Sequence, residues 1–367
     1  MEDGYFIEEG RCKRMAEERG IIKRIKRDPL RFDLVDLYDA VGRERKLNLN
    51  CAEDSSLFKN LINDSLDNSL TETMIYGRRT EAMFSYVAAS LGKCNIIKKE
   101  DSGEVLSSNP EIIVPDYKLV LKDGTQLLVE VKNYRQSKPF AEFSVKTSYI
   151  NKLLTYARLV NSEFYFAIYW SAWELWTLVK PCDFVSEAGK SKLSLDTALK
   201  RNNMIVLGDA HIATKSPLTI RFYTDKMHPH KVSDKGEAYF VIGKVEIKCD
   251  GSTILSKDEQ KIAMALMMYG CWSETSRVWF YEKESQLIDY IEFKFEPEEA
   301  KLKQEIDFVG TISTIISRQY CQLTAPNGKV ERLTPDISPG LLGIIIPDRY
   351  HSETLPLWIM HQTPNFE

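Results

Sequence analysis

Three residues in one short stretch of this sequence have the types and spacing for metal-assisted chemistry. The stretch IIVPDYKLVLKDGTQLLVEVKN, Ile112 to Asn133, carries Asp116 in a first apolar run and Glu130 and Lys132 in a second. Between the runs lies Lys122-Asp123-Gly124, and Asp-Gly between β-prone segments signals a hairpin. Side chains alternate along a strand, so Gln126, Leu128, Glu130 and Lys132 share one face and Leu127, Val129 and Val131 the other, which is expected to be core. A three-residue loop with Gly124 left-handed sets Leu121 opposite Thr125 and Asp116 opposite Glu130. A two-residue loop would part the carboxylates, so the three-residue loop is expected. Facing carboxylates on a half-buried face need a charge partner. A divalent cation supplies one: Mg²⁺ takes oxygen ligands from one or two carboxylates and leaves sites for water and phosphate. The matching chemistry is phosphodiester hydrolysis, in which a metal polarises the phosphate and makes hydroxide available. Lys132 would orient the water or neutralise charge in the transition state. E-x-K alone reads equally well as an ordinary surface ion pair on a hairpin.

The chain contains its own controls. Glu246 and Lys248, in KVEIKC, repeat E-x-K without a preceding Pro-Asp strand and read as a solvated strand face. Pro335-Asp336 and Pro347-Asp348 have no E-x-K after them. The combination Pro115-Asp116 with Glu130-Val131-Lys132 resembles the signature of the PD-(D/E)xK nuclease superfamily, the restriction-endonuclease-like fold shared with junction resolvases and transposition nucleases. The resemblance implies a core running helix, three antiparallel strands, helix, strand, over roughly Thr71 to Lys180. Upstream, Met83, Phe84, Val87, Ala88 and Leu91 stand at helical spacing before Gly92. Glu81 sits where the family often carries a further acid; the alternative is an exposed glutamate in a first helical turn, favoured by the dipole. Downstream, Ala141 to Val160 reads as the second helix and Phe164 to Trp170 as the buried strand after it. The family's exonuclease branch often has Gln four residues before a Tyr on that helix. Here Lys152 precedes Tyr156, which favours an endonuclease.

The 367 residues, 43% hydrophobic and 28% charged, describe an ordinary globular chain with a sizeable core. The net charge of -4 argues against a basic coat but allows local basic patches around an acidic metal site. No apolar run approaches a membrane span and no signal-peptide pattern opens the chain, so the cytoplasm is the expected location and no membrane partner is expected. Seven scattered cysteines without a C-x-x-C pair point to reduced thiols and against zinc. His228-Pro229-His230 reads as a solvated turn.

The elements that must position the site follow in order. Arg11 to Arg27 is strongly basic and reads either as a helix tracking phosphates or as a charged surface helix. The tryptophans Trp170, Trp173 and Trp176 read as buried packing rather than a base-stacking platform. Strands are expected at Met204 to Leu207, Leu218 to Tyr223 and Ala238 to Cys249. Ser256 to Glu259 forms a capping box opening a helix through Tyr269, which Gly270 stops. Val278 to Tyr281, Ile288 to Phe295 and Phe308 to Leu323 read as strand or mixed segments, with a helical EPEEAKLKQE before the last.

The sequence therefore predicts an α/β protein: an N-terminal helical, partly basic region over residues 1–68, a restriction-endonuclease-like core with a mixed sheet flanked by helices over 69–183, a β-rich extension over 184–255, and an α+β region over 256–367. The expected function is a Mg²⁺-dependent DNA endonuclease, with Mn²⁺ as a substitute, in restriction or defence against foreign DNA. Two alternatives stay open: a structure-specific resolvase or transposase-type nuclease, and a non-catalytic nucleic-acid-binding protein. Asp116, Glu130, Lys132 and Glu81 are the expected catalytic set, with Asp116, Glu130 and the Val131 carbonyl on the metal. Arg78, Arg79, Arg135, Lys138, Lys146 and Lys152 are candidates to hold nucleic-acid phosphates. A homodimer and a protein partner remain open.

Overall fold

The expected hairpin forms with its expected register. Strand β2 (Tyr117–Leu121) pairs antiparallel with β3 (Gln126–Tyr134) from Tyr117↔Val129 to Val120↔Gln126. Gly124 adopts φ +89°, the Leu121 amide donates to the Thr125 carbonyl at 2.9 Å, and the Asp123 carboxylate accepts from the Thr125 amide at 2.9 Å. A left-handed residue is needed there, and glycine takes it without strain.

The computed structural model describes residues 22–24, 29–48, 50–136, 138, 141–228, 231–281, 287–298, 305–347 and 349–365, without the side chains of residues 29–33. Most of the basic stretch Arg11 to Arg27, Pro229 and His230, and residues 299–304 of EPEEAKLKQE lie outside the described residues. Within them the chain is mixed α/β, with seven α-helices and four sheets. Helices α1 (Pro29–Arg45) and α2 (Ala52–Ser69) lead into α3 (Glu72–Ser90), then β1 (Cys94–Lys99), β2 and β3. Strand β4 (Phe143–Lys146), helix α4 (Thr147–Leu159), β5 (Glu163–Trp170) and β6 (Leu175–Val179) follow. The central sheet has the order β1-β2-β3-β5-β6, antiparallel except for the β3–β5 pair. A parallel pair requires a crossover, and α4 supplies it.

Both faces of this sheet are covered. Leu127, Val129 and Val131 pack with Met83, Phe84 and Val87 of α3. Leu128 packs with Ile150 and Leu153 of α4. The face expected to be half-exposed is therefore core at Leu128, because the crossover helix lies across it. Gly92, at φ +80°, ends the α3 segment as a left-handed cap.

Beyond β6 the chain adds β7 (Val185–Glu187), β8 (Lys190–Leu193), α5 (Leu195–Lys200) and β9 (His211–Thr214). Next come β10 (Leu218–Thr224), β11 (Ile242–Cys249), β12 (Ser252–Thr253), α6 (Lys257–Tyr269), β13 (Ser273–Phe280) and β14 (Ile288–Glu296). The chain closes with β15 (Asp307–Thr311), α7 (Ile312–Thr324) and β16 (Leu357–Met360). An antiparallel sheet β12-β11-β10-β14-β13 packs one face on α6, burying Leu218, Ile220, Ile247, Ile262 and Leu266. Helix α7 bridges the two halves. Ile316 and Tyr320 join the core under α3, while Ile315 joins the core under α6. Trp176 of β6 donates to Ser317 at 2.9 Å. Of the expected capping box the forward half forms: the Ser256 hydroxyl accepts from the Glu259 amide, while the Glu259 carboxylate accepts from the Thr354 hydroxyl at 2.8 Å.

Several expectations are corrected. Residues 143–146 are strand, paired with β8, so the second helix begins at Thr147. Met204–Leu207 is a 3₁₀ turn, because Asn202 Oδ1 accepts from the Leu178 and Met204 amides and Gly208 turns the chain at φ +100°. The segment Phe308 to Leu323 divides into the end of β15 and α7 at Thr311, whose hydroxyl accepts from the Thr314 amide. Glu246 is half-buried and ion-paired rather than freely solvated. Its carboxylate takes Lys244, Lys248 and the Tyr223 hydroxyl, all at 3.0–3.1 Å. Trp170 and Trp176 are fully buried, whereas Trp173 is exposed.

Candidate active site

The end of β2 creates the site. Continuing the ladder past Tyr117↔Val129 sets Asp116 opposite Glu130 and Pro115 opposite Val131. Bonded pairs recur at every second residue of an antiparallel ladder, counting from Leu121 and Thr125, so Pro115 and Val131 would form the next one. Proline has no N–H to give. The ladder stops there, and the Val131 amide donates to Asp116 Oδ2 instead, at 2.7 Å. The Val131 carbonyl is left facing a proline with no amide. The Asp116 carbonyl is itself pinned by the Glu100 amide at 2.8 Å.

Asp116 and Glu130 are buried, at 8% and 3% exposure. Lys132 Nζ lies 2.5 Å from Glu130 Oε1. The Tyr149 hydroxyl, from the first turn of α4, donates to the same oxygen, accepts from Lys132 at 3.3 Å, and holds the ammonium 5.2 Å above its ring. Burial, then the repulsion of Glu130 and Glu81, pushes the Asp116 carboxyl well above its usual range, against the Val131 amide and Lys132. Burial alone would lower Lys132, but Glu130 more than reverses this and holds it charged above the ordinary lysine range. Burial and then Glu130 raise Tyr149, so its hydroxyl remains a donor.

The donor set fits a hard divalent cation. Among the described residues, Asp116 Oδ1 and Glu130 Oε2 accept no hydrogen bond, since each carboxylate's partners sit on its other oxygen. With the Val131 carbonyl they form an oxygen-only set of the kind Mg²⁺ or Mn²⁺ takes, completed by water and phosphate. No three Asp, Glu, His or Cys side chains among the described residues converge as a metal cage. Glu81 is not drawn into such a group with Asp116 and Glu130. It lies in the interior of α3 rather than in a first turn, because the helix begins at Glu72, and it faces Arg78 at 3.1 Å and Lys99 at 3.9 Å. It acts on Asp116 through space.

The basic candidates divide. Arg78 is exposed and held by Glu81, with Asp101 at 3.9 Å. Arg135, Lys138 and Lys146 are exposed. Lys152 pairs with Glu111 at 2.9 Å. Arg79 is removed from the phosphate-holding set: it is buried, donates to Thr324 at 3.0 Å, lies over Tyr320, and leaves its Nη2 without a partner. One helix position away from Arg78 is about 100° of rotation, enough to turn a side chain from the sheet edge into α7.

Tyr149 is the functional residue that sequence reasoning missed. A signal existed. Tyr149, Lys152 and Tyr156 stand three and four residues apart on one face of α4, and each meets an acid: Glu130, Glu111 and Glu100, the last at 2.8 Å.

No family model matches this sequence, and no curated protein sequence matches it. Among solved structures, a Holliday junction resolvase from the archaeal hyperthermophile Archaeoglobus fulgidus matches at 18% identity, over 26% of this chain and 77% of that chain, with a TM-score of 0.21. At that score the likeness is weak, and the functional reading stands on the residues above. No helix among the described residues is long and apolar enough to cross a membrane.

Proposed function

We propose that this chain is a divalent-metal-dependent nuclease that hydrolyses phosphodiester bonds of DNA. One observation carries the reading: a buried carboxylate pair, Asp116 and Glu130, with Lys132 clamped beside it on the same strand face. Such a cluster is costly in an apolar sheet, and strongly perturbed groups of this kind gather at functional sites. Asp116, Glu130 and the Val131 carbonyl would hold Mg²⁺, with Mn²⁺ as a substitute. When bound, such an ion polarises the phosphate and lowers the pKa of a water. Lys132 stays charged and is oriented by Glu130 and Tyr149, so it can neutralise negative charge building on the phosphoryl oxygens. Tyr149 fixes the Glu130 carboxylate, leaving Oε2 for the metal. Glu81 raises the negative potential around Asp116 and so favours cation capture. Arg78, Lys99, Arg135 and Lys138 are exposed cations on or beside these elements and are the groups we assign to incoming phosphates.

Endonuclease action is the form we favour, because Lys152 replaces the glutamine expected on an exonuclease helix and is committed to Glu111. Restriction of foreign DNA is the setting we propose, since most of the chain lies outside the site's own sheet and is available for specificity. The test is a comparison of covalently closed and linear duplex DNA in Mg²⁺. An endonuclease opens the closed circle, and Asp116→Asn or Glu130→Gln leaves it intact while weakening Mg²⁺ binding in calorimetry at least about tenfold. Degradation confined to linear ends would sink the endonuclease assignment. Full activity in Glu130→Gln would sink the site.

A further inference from the structure

The second antiparallel sheet presents a surface that the hydrolytic site does not use. One face packs on α6; the other carries the alternate residues of β11, β10, β14 and β13 in register. Across it run three rows: Lys248, Thr219, Lys294 and Thr275; then Glu246, Arg221, Glu292 and Arg277; then Lys244, Tyr223, Tyr290 and Trp279. The third row is an aromatic column. Tyr223 and Tyr290 have ring centroids 5.1 Å apart with planes tilted by 46°, and Trp279 stacks on Tyr290 at 5.7 Å with planes 20° apart.

Among the described residues the column ends at the edge of the sheet. β13 is the outermost strand, and Trp279 remains 43% exposed beside the exposed Phe280 and Tyr281. Cations surround the rings: Arg221 lies 4.8 Å over Tyr290, Lys244 5.4 Å over Tyr223 and Lys226 5.9 Å over Tyr281. The rows hold five cations against Glu246, Glu292 and the adjacent Glu296, a positive excess; Lys244 and Lys248 pair with Glu246, Arg221 with Glu292 and Lys294 with Glu296, which leaves Arg277 as the excess charge beside the rings. Arg277 is exposed and makes no ion pair among the described residues.

We propose that this face binds single-stranded nucleic acid, a base stacking on the exposed side of Trp279 and its phosphate meeting Arg277. Stacking continues a column that already exists, and every base has a face to offer, so recognition is tolerant of sequence. Duplex DNA keeps its bases stacked inside and cannot use Trp279 in this way. The platform stands on its own residues and holds whether or not the hydrolytic reading does.

The test is fluorescence anisotropy with the full chain in EDTA, using a labelled oligothymidylate of about 15 nucleotides and its oligouridylate counterpart. Trp279→Ala should weaken binding roughly 5- to 150-fold, with Trp279→Phe recovering most of it. Arg277→Glu should reduce the dependence of log K on log salt by about 0.7 or more. Intrinsic tryptophan emission of the wild type should be quenched on binding, and that quench should shrink in Trp279→Phe. No single-strand binding by wild type, binding indifferent to Trp279 and Arg277, or duplex bound in preference would each overturn the proposal. A chain that binds the oligonucleotide but cuts nothing in Mg²⁺ would keep this proposal and sink the nuclease; one that cuts but binds independently of Trp279 would do the reverse.

Discussion

Removing the Tyr149 hydroxyl tests how the site is positioned. In Tyr149→Phe the ring stays, so the cation–π contact with Lys132 at 5.2 Å survives. What is lost is the hydrogen bond to Glu130 Oε1 and the acceptor for Lys132 at 3.3 Å. A hydrogen bond to a charged group contributes about 1.5–3 kcal/mol. Glu130 Oε1 still receives Lys132 at 2.5 Å, so no buried oxygen is orphaned and the lower end applies. About 1.4 kcal/mol corresponds to a tenfold rate loss. Single-turnover nicking of supercoiled plasmid should therefore slow about tenfold, with the Mg²⁺ concentration for half-maximal rate raised, because the freed Glu130 carboxylate no longer holds Oε2 toward the metal. Urea unfolding run alongside separates this from simple destabilisation. An unchanged rate and unchanged Mg²⁺ dependence in a folded Tyr149→Phe would refute the positioning role.

Three other predictions concern stability. Arg79→Met keeps the apolar stem and removes a buried guanidinium with an unpartnered Nη2, so urea unfolding should change by less than about 1.5 kcal/mol, whereas Arg79→Ala should cost about 2 kcal/mol or more through the cavity. Glu246 is held down at about 2: burial opposes this, but Lys244, Lys248 and Tyr223 outweigh it. A depressed carboxyl stabilises the fold above its unfolded value of about 4.3 and loses that contribution as pH falls toward 2. The stability difference between wild type and Glu246→Gln should then be constant near neutral pH and shrink through acid titration; a gap that widens in acid would contradict the ion network. Gly208→Ala places a Cβ 2.6 Å from the Leu91 carbonyl at φ +100°, and thermal unfolding should fall by several degrees, equivalent to about 1–3 kcal/mol.

The hairpin was legible because its determinants are local. Lys122-Asp123-Gly124 sets the loop, the loop sets the register, and the register brings Asp116 to Glu130 whatever else the chain does. The mixed α/β class and the order of helix and strands around that hairpin were legible for the same reason, from periodicity and caps such as Gly92 and Ser256. Tertiary partners were not. Leu128 looked half-exposed because nothing local says that α4 lies over it, and residues 143–146 looked helical because their strand partner, β8, lies more than forty residues on. Met204–Leu207 was apolar enough for a strand, but Asn202 took its amides. Arg79 looked like a phosphate ligand beside Arg78, since a sequence shows charge and not helix rotation. Glu246 shows the same limit in reverse: the same E-x-K pattern became a structural ion network once β10 supplied Tyr223.

The most direct measurement is cleavage of supercoiled plasmid by wild type and Lys132→Ala, each in Mg²⁺ and in EDTA. A catalytic role for Lys132 predicts that wild type in Mg²⁺ alone nicks or linearises the DNA, while Lys132→Ala still binds Mg²⁺ and does not cut. Cutting by Lys132→Ala at the wild-type rate, or a wild type that neither cuts nor binds Mg²⁺, would contradict it.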